Sequence, residues 1–204
     1  MDRKISLGAS DHEFSGSVHI CQIYSSEQER EETLYQFIVT GMEAHEKIGC
    51  FSEKISDQKL DTQLKAFGFS LEQAKSGGAL TCSSTREAYF HSNQFNPERM
   101  LKVLKEFYTE SIERGFNSAR VIGEMTPNVQ TVSGGSRLLE YEAKVSMLLR
   151  TCPLITVCQY DSSQFDGSTI MDILKVHPLM IVGGAVIHNP FFVKPEEFLA
   201  QLSE

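Results

Sequence analysis

Few side chains in this sequence combine reactive chemistry with a placement that could use it, and most of them close or follow short apolar runs. Tyr24-Ser25-Ser26, Ser52-Glu53, Ser83-Ser84-Thr85, Gly123-Glu124-Met125-Thr126 and Tyr160-Asp161-Ser162 are the clearest cases. If those runs are strands of an open α/β sheet, these residues sit at its carboxyl ends, where that architecture binds ligands. Serine and threonine there serve first as N-caps, accepting hydrogen bonds from the free N–H groups of the next helix. Glu124 and Asp161 ask for more, because an acid at the mouth of an apolar sheet must find a partner or water. Tyr24 and Tyr160 would wall a pocket between them, and Glu124 and Asp161 would anchor a weakly polar ligand.

Several reactions lose their support on inspection. A phosphate-binding loop of the form GxxxxGK[ST] would lie between the first strand and first helix, with backbone N–H groups and a lysine on the phosphates. Residues 25–32 instead read Ser-Ser-Glu-Gln-Glu-Arg-Glu-Glu, with no glycine, no lysine and four acids that repel a triphosphate. The step Ser133-Gly134-Gly135-Ser136 reads as a loop and helix cap. There is no GxSxG elbow and no HExxH motif. The histidines His12, His19, His45, His91, His177 and His188 lack ligand spacing, so neither a metal nor another cofactor is expected. His19 reads as a hydrogen-bonded structural histidine, and His177-Pro178 as a fixed extended lead into the last strand. The odd set Cys21, Cys50, Cys82, Cys152 and Cys158 has no CxxC pair, which suits neither a disulfide framework nor structural zinc. Cys21, Cys50, Cys82 and Cys158 lie in apolar runs and read as small buried hydrophobes. A redox or haem role would need Cys21, Cys158, His19 or His177 to converge in space.

The elements that must position these residues alternate. Residues 18–24, 47–52, 79–83, 119–125, 154–160 and 179–182 read as strands, and residues 27–46, 58–67, 97–114, 136–150, 168–176 and 195–202 as helices. Such alternation means crossover connections and a mainly parallel sheet covered on both faces. Gly183-Gly184 between two apolar runs signals a hairpin, adding an antiparallel strand at one edge. Residues 1–16 are patternless and are expected to form a flexible lead-in to a single domain over 17–204. The net charge of −8 argues against nucleic-acid and anionic-membrane surfaces. No apolar stretch reaches the roughly 20 residues of a membrane span, and the N-terminus lacks the apolar segment of a secretory signal. A cytoplasmic location is therefore expected.

Seven motifs then follow in order: His19-Ile20-Cys21-Gln22-Ile23-Tyr24, Phe37-x3-Gly41, Gly123-Glu124-Met125, Tyr141-Glu142, Cys158-Gln159-Tyr160-Asp161, His177-Pro178 and Asn189-Pro190-Phe191. Together they resemble the MEDS domain, the methanogen/methylotroph sensory domain named for the regulator DcmR, from about Val18 to the C-terminus. The same stretch is similar to a RecA/KaiC-type ATPase core, through Phe37-x3-Gly41, residues 47–53, Leu64-x2-Phe67-Gly68 and Gly78-Ala79-Leu80. In that likeness Glu53 falls where the superfamily keeps a catalytic glutamate, and Glu124 near its metal-coordinating strand end. With the phosphate loop missing, the resemblance implies an ATPase scaffold kept as a binding pocket. The MEDS likeness implies sensing of simple hydrocarbon derivatives or one-carbon compounds, beside histidine-kinase or DNA-binding output modules. The chain departs from that pattern in ending after the sensory domain, and in carrying Thr126-Pro127 where the family often has tryptophan. The first departure implies an output partner in trans; the second leaves the ligand open.

The resulting expectation is an α/β fold: a three-layer RecA/KaiC-like, mainly parallel sheet with helices on both faces and a C-terminal antiparallel hairpin. Its function is that of a non-catalytic sensor binding a small ligand through His19, Cys21, Tyr24, Glu53, Glu124, Tyr160, Asp161 and His177. A histidine kinase or transcriptional regulator would read its state, and a homodimer is compatible with it. The alternatives are a residual ATPase with Glu53 and Glu124 holding Mg²⁺, a ligandless interaction module, and the redox or haem sensor.

Overall fold

The computed structural model describes residues 4–5, 14–91, 94–126 and 132–202. In chain order the elements are β1 (Lys4–Ile5), β2 (Phe14–Ser15), β3 (Val18–Tyr24), α1 (Glu27–Glu43), β4 (Lys47–Phe51), α2 (Asp57–Ala66), α3 (Leu71–Ser76), β5 (Leu80–Ser83), α4 (Thr85–Tyr89), β6 (Phe90–His91) and β7 (Gln94–Phe95). They continue with α5 (Pro97–Glu113), β8 (Ala119–Met125), α6 (Leu138–Leu148), β9 (Ile155–Asp161), α7 (Gly167–Val176), β10 (Leu179–Val182), β11 (Ala185–His188) and α8 (Pro195–Gln201). The helix starts follow local chemistry. Ser26, Ser56, Ser70, Ser84, Asn96 and Asp166 each accept a first-turn N–H, and Pro97 opens α5 where its missing N–H costs nothing.

The main sheet has the order β11-β10-β3-β9-β8-β4-β5, parallel throughout except for the β10–β11 hairpin. Gly183 and Gly184 turn that hairpin at φ of 55° and 80°, a left-handed pair that favours glycine, and β11 is the edge strand that the Gly-Gly step predicts. Helices α1, α2 and α3 cover one face around Ile20, Phe37, Ile38, Ile48, Leu60 and Val157. Helices α4 to α7 cover the other around Tyr89, Met100, Leu138, Tyr141, Tyr160 and Ile173. Strand alternation sorts side chains between the two layers. Tyr24, Gln22 and Ile20 of β3 lie beside Asp161, Gln159 and Val157 of β9 towards α1, where the Gln22 amide reaches Thr33 Oγ1. His19 and Cys21 share the opposite face with Tyr160 and Cys158, beneath α6.

Some elements differ from the expected ones. Helix α1 stops at Glu43, before residue 46, because His45 enters the left-handed region at φ 54°. The His45 N–H then meets Met42 O at 3.0 Å and the Glu46 N–H meets Gly41 O at 2.9 Å, a Schellman closure. Residues 135–137 form a 3₁₀ turn, so α6 begins later than residue 136. Helices α3 and α4 are too short for their periodicity to be read. Within the expected lead-in, β1 pairs antiparallel with β2; the rest of residues 1–13 lies outside the described residues. Among the described residues no helix is long and apolar enough to cross a membrane.

Candidate functional site

The carboxyl ends of β3, β4 and β8 bring together a carboxylate network. Glu124, only 3% exposed, accepts from the Tyr24 hydroxyl at 2.9 Å and from Ser52 Oγ at 2.6 Å. Lys54 Nζ lies 2.9 Å from Glu124 Oε1 and 3.4 Å from Glu27 Oε2. Burial pulls the Lys54 ammonium down, but Glu124 and Glu27 outweigh it and hold the group above its ordinary value. Burial, reinforced by Glu124, pushes the Tyr24 phenol up, so it stays a donor. Behind them Arg30 is fully buried; its Nε donates to Glu27 Oε1 at 2.8 Å and its Nη2 reaches the same oxygen. Arg30 Nη1 is buried with no hydrogen-bond partner among the described residues. Lys54 and Glu27 are half-exposed and form the outer rim. The two N–H of Arg30 Nη1 and the Lys54 ammonium are the donors an acceptor entering this network would meet.

At the start of α1 the chain satisfies its own helix donors. Ser26 Oγ accepts from the Glu29 N–H at 3.3 Å, and Glu29 Oε2 accepts from the Ser25 N–H at 3.1 Å. A serine hydroxyl and a glutamate thus occupy two backbone donors that a phosphate would need.

Other expected site residues lie elsewhere. Tyr24 and Tyr160 do not wall one pocket, since they occupy opposite faces of the sheet: strand residues alternate, and Tyr24 pairs in register with Asp161, one residue beyond Tyr160. Glu53 accepts the Arg86 N–H at 2.9 Å, at the start of α4. Asp161 shares the Tyr24 face, but its carboxylate closes its own turn on Ser163 and Gln164. Cys21 is buried, its thiol 3.7 Å from Leu179 O, and burial raises it to about 12.

A second constellation occupies the opposite face. His19, His177 and Tyr160 meet Glu142 of α6 and Cys158 of β9, and all five are buried. Glu142 Oε1 accepts from the Tyr160 hydroxyl at 2.8 Å. Its Oε2 lies 3.2 Å from His19 Nε2, 3.6 Å from Cys158 Sγ and 3.6 Å from His177 Nε2. Burial drives both imidazoles down to about 3 and raises the Glu142 carboxyl and the Cys158 thiol. Glu142 was absent from the expected site, though it belongs to the Tyr141-Glu142 motif. Its signal was an acid in the apolar stripe that Leu138 and Val145 define on α6.

Comparison with known proteins places these geometries. Residues 18–178 match the family described as MEDS, the MEthanogen/methylotroph, DcmR Sensory domain. Over 83 residues the chain is 30% identical to the transcriptional repressor DcmR of Methylorubrum extorquens, a match spanning 40% of this chain and only 31% of that repressor. Its fold is similar to a KaiC-like protein from Pyrococcus horikoshii, with a TM-score of 0.60 at 13% identity over 88% of this chain and 80% of that one. It is equally similar to the flagellar accessory protein FlaH of Methanocaldococcus jannaschii, with a TM-score of 0.62 at 11% identity over 91% and 84% of the two chains. The fold is therefore RecA/KaiC-like, as the sequence resemblance implied.

Proposed function

The chain belongs to the MEDS sensory-domain family, and from that premise we propose that it is a non-catalytic sensor whose small ligand binds the Glu124 network at the carboxyl end of the sheet. The observation that carries this reading is Arg30 Nη1, a fully buried donor with no partner among the described residues. Leaving such a group unsatisfied costs about 1–3 kcal/mol, more for a charged one, so an acceptor placed there recovers that energy. The ligand class that fits is a one- or two-carbon compound carrying an acceptor oxygen, such as a short carboxylate or alcohol. It would take the Arg30 N–H and draw Lys54 off Glu124. Lys54 sits in the β4–α2 connection, so its release would move that segment, and a ligand favouring the moved state shifts the equilibrium between two conformations. The self-capped start of α1 supports recognition without phosphoryl transfer. The output reader is a histidine kinase or a transcriptional regulator met in the cytoplasm; the partial match to a repressor supports the second.

Thermal denaturation of the purified chain with formate, acetate, methanol and ethanol tests this. At least one compound should raise the midpoint in a concentration-dependent way, and Glu124→Gln and Lys54→Ala should remove that shift. An undiminished shift in both variants, or no shift with any of the compounds, contradicts the assignment.

A further inference from the structure

The His19–Glu142–Cys158–His177 constellation lies on the opposite face of the sheet from Glu124, and its atoms are arranged as a ligand set. Each residue offers one ligand atom, and the four atoms all lie within 4.8 Å of one another. A tetrahedral ion with bonds of about 2.0–2.3 Å to N, O and S needs ligand–ligand edges of about 3.3–3.8 Å. The separations of 3.2 Å (His19 Nε2–Glu142 Oε2), 3.6 Å (Cys158 Sγ–Glu142 Oε2), 3.6 Å (His177 Nε2–Glu142 Oε2) and 3.8 Å (Cys158 Sγ–His19 Nε2) fall at that scale.

The hydrogen bonds around the set leave the right atoms facing inward. His177 Nδ1 lies 2.8 Å from the Ile173 carbonyl, which can only accept, so Nδ1 carries the hydrogen and Nε2 keeps its lone pair. That Nε2 is buried without a hydrogen-bond partner among the described residues, and it points at Glu142. Ser146 Oγ lies 2.8 Å from His19 Nδ1 and 3.3 Å from the Val176 carbonyl; with its hydroxyl turned to that carbonyl it accepts from Nδ1, and the His19 Nε2 lone pair then also faces inward. Tyr160 holds Glu142 from behind at 2.8 Å. Every inward ligand atom except the cysteine sulfur thus has an outer partner that orients it, as metal ligands usually do.

We propose that His19, Glu142, Cys158 and His177 form a closed tetrahedral site for Zn²⁺. Thiolate, carboxylate and two neutral imidazoles carry two negative charges, so a divalent cation makes the buried unit neutral, which a low-dielectric interior favours. Binding forms one metal–sulfur, one metal–oxygen and two metal–nitrogen bonds, and breaks the Cys158 S–H bond, whose proton leaves to solvent. The close approach of the four ligand atoms leaves no room for a haem ring. A surface cleft of about 250 Å³, bordered by Ser17, Ser146, Pro178 and Phe192, reaches His19. The site ties α6 and the turn after α7 to the two central strands, so its occupancy would set the rigidity of the sensory core. It does not rest on the Glu124 reading, and the two can fail separately.

The test is titration of the chelator-treated full chain with Zn²⁺ by calorimetry, and with Co²⁺ by absorbance. The parent should take up one ion per chain. Measured in two buffers of different ionisation heat, Zn²⁺ uptake should release at least one proton per ion, the one displaced from the Cys158 thiol. The Co²⁺ form should show a thiolate charge-transfer band that Cys158→Ser removes and Cys82→Ser and Glu124→Gln retain. His177→Gln should weaken Zn²⁺ binding by at least about tenfold. Far-UV circular dichroism of the metal-free variants checks their folding, and the proton count needs no variant at all. Absence of stoichiometric uptake, uptake without proton release, or a charge-transfer band surviving Cys158→Ser overturns the proposal.

Discussion

His19 and His177 depart far from their chemistry in water, and do so in the pH range that proteins meet. Burial holds both at about 3 in the metal-free fold, against an ordinary value of 6.5. As pH falls below 6.5 the unfolded chain binds protons that the folded chain refuses, so stability is lost progressively between pH 6.5 and about 3. The slope is up to about 1.36 kcal/mol per pH unit for each histidine. Glu142 acts with the opposite sign. Burial raises it above 4.5, so the unfolded chain releases a proton the folded chain retains, and stability falls as pH rises through the same region. Two imidazoles outweigh one carboxyl. Urea midpoints of the chelated protein should therefore drop from pH 6.5 to pH 5.5, where the exposed acids are about nine-tenths or more ionised in both states, and His177→Gln should reduce the slope. A flat profile over that window would show that the histidines are solvated. Glu142 itself was legible only in part: its type and motif were visible, but its ligand-like neighbours come from β3, β9 and the segment after α7, and one sequence does not display that convergence.

Among the elements, α1 and β8 show what the motif glycines do. A Cβ at Gly41 would sit 2.7 Å from Arg120 Cδ, 2.9 Å from Arg120 Nε and 3.0 Å from Ile48 Cδ1. Arg120 cannot give way easily. It is fully buried, paired with Glu46, and bound to Phe37 O at 3.0 Å and Thr40 Oγ1 at 2.9 Å. Gly41→Ala should thus cost about 1–3 kcal/mol as overpacking does, despite the gain of about 1 kcal/mol that alanine brings to an exposed helix interior. Chemical denaturation of the variant measures this, and a stabilised variant would mean that Arg120 is free to move. Gly123 plays the same part on β8, where an added Cβ would lie 2.5 Å from the Tyr89 hydroxyl. The strands and longer helices were readable because two-sided burial and helical spacing write themselves into residue type. Helices α3 and α4 were not, since one or two turns carry too few apolar positions to show a period. The shared pocket of Tyr24 and Tyr160 failed for a simpler reason: β3 and β9 pair with Tyr24 opposite Asp161, and that one-residue offset puts the two rings on different faces.

For the whole molecule, the fold of a KaiC-like protein is combined with an α1 start whose donors are taken by Ser26 and Glu29. The sheet end keeps a polar centre in Glu124, but its cations, Lys54 and Arg30, already face Glu124 and Glu27. A triphosphate would meet four glutamates in residues 27–32 with neither the glycine backbone nor the lysine that its cradle requires. A short alcohol carries no charge and meets no such repulsion, and a one- or two-carbon carboxylate, with a single charge, meets less of it than a triphosphate does. Calorimetric titration of the purified chain with MgATP tests this most directly. No saturable heat at millimolar nucleotide is the result expected of a recognition domain built on this scaffold. A one-to-one isotherm with a micromolar Kd would contradict it and return the sheet end to nucleotide chemistry.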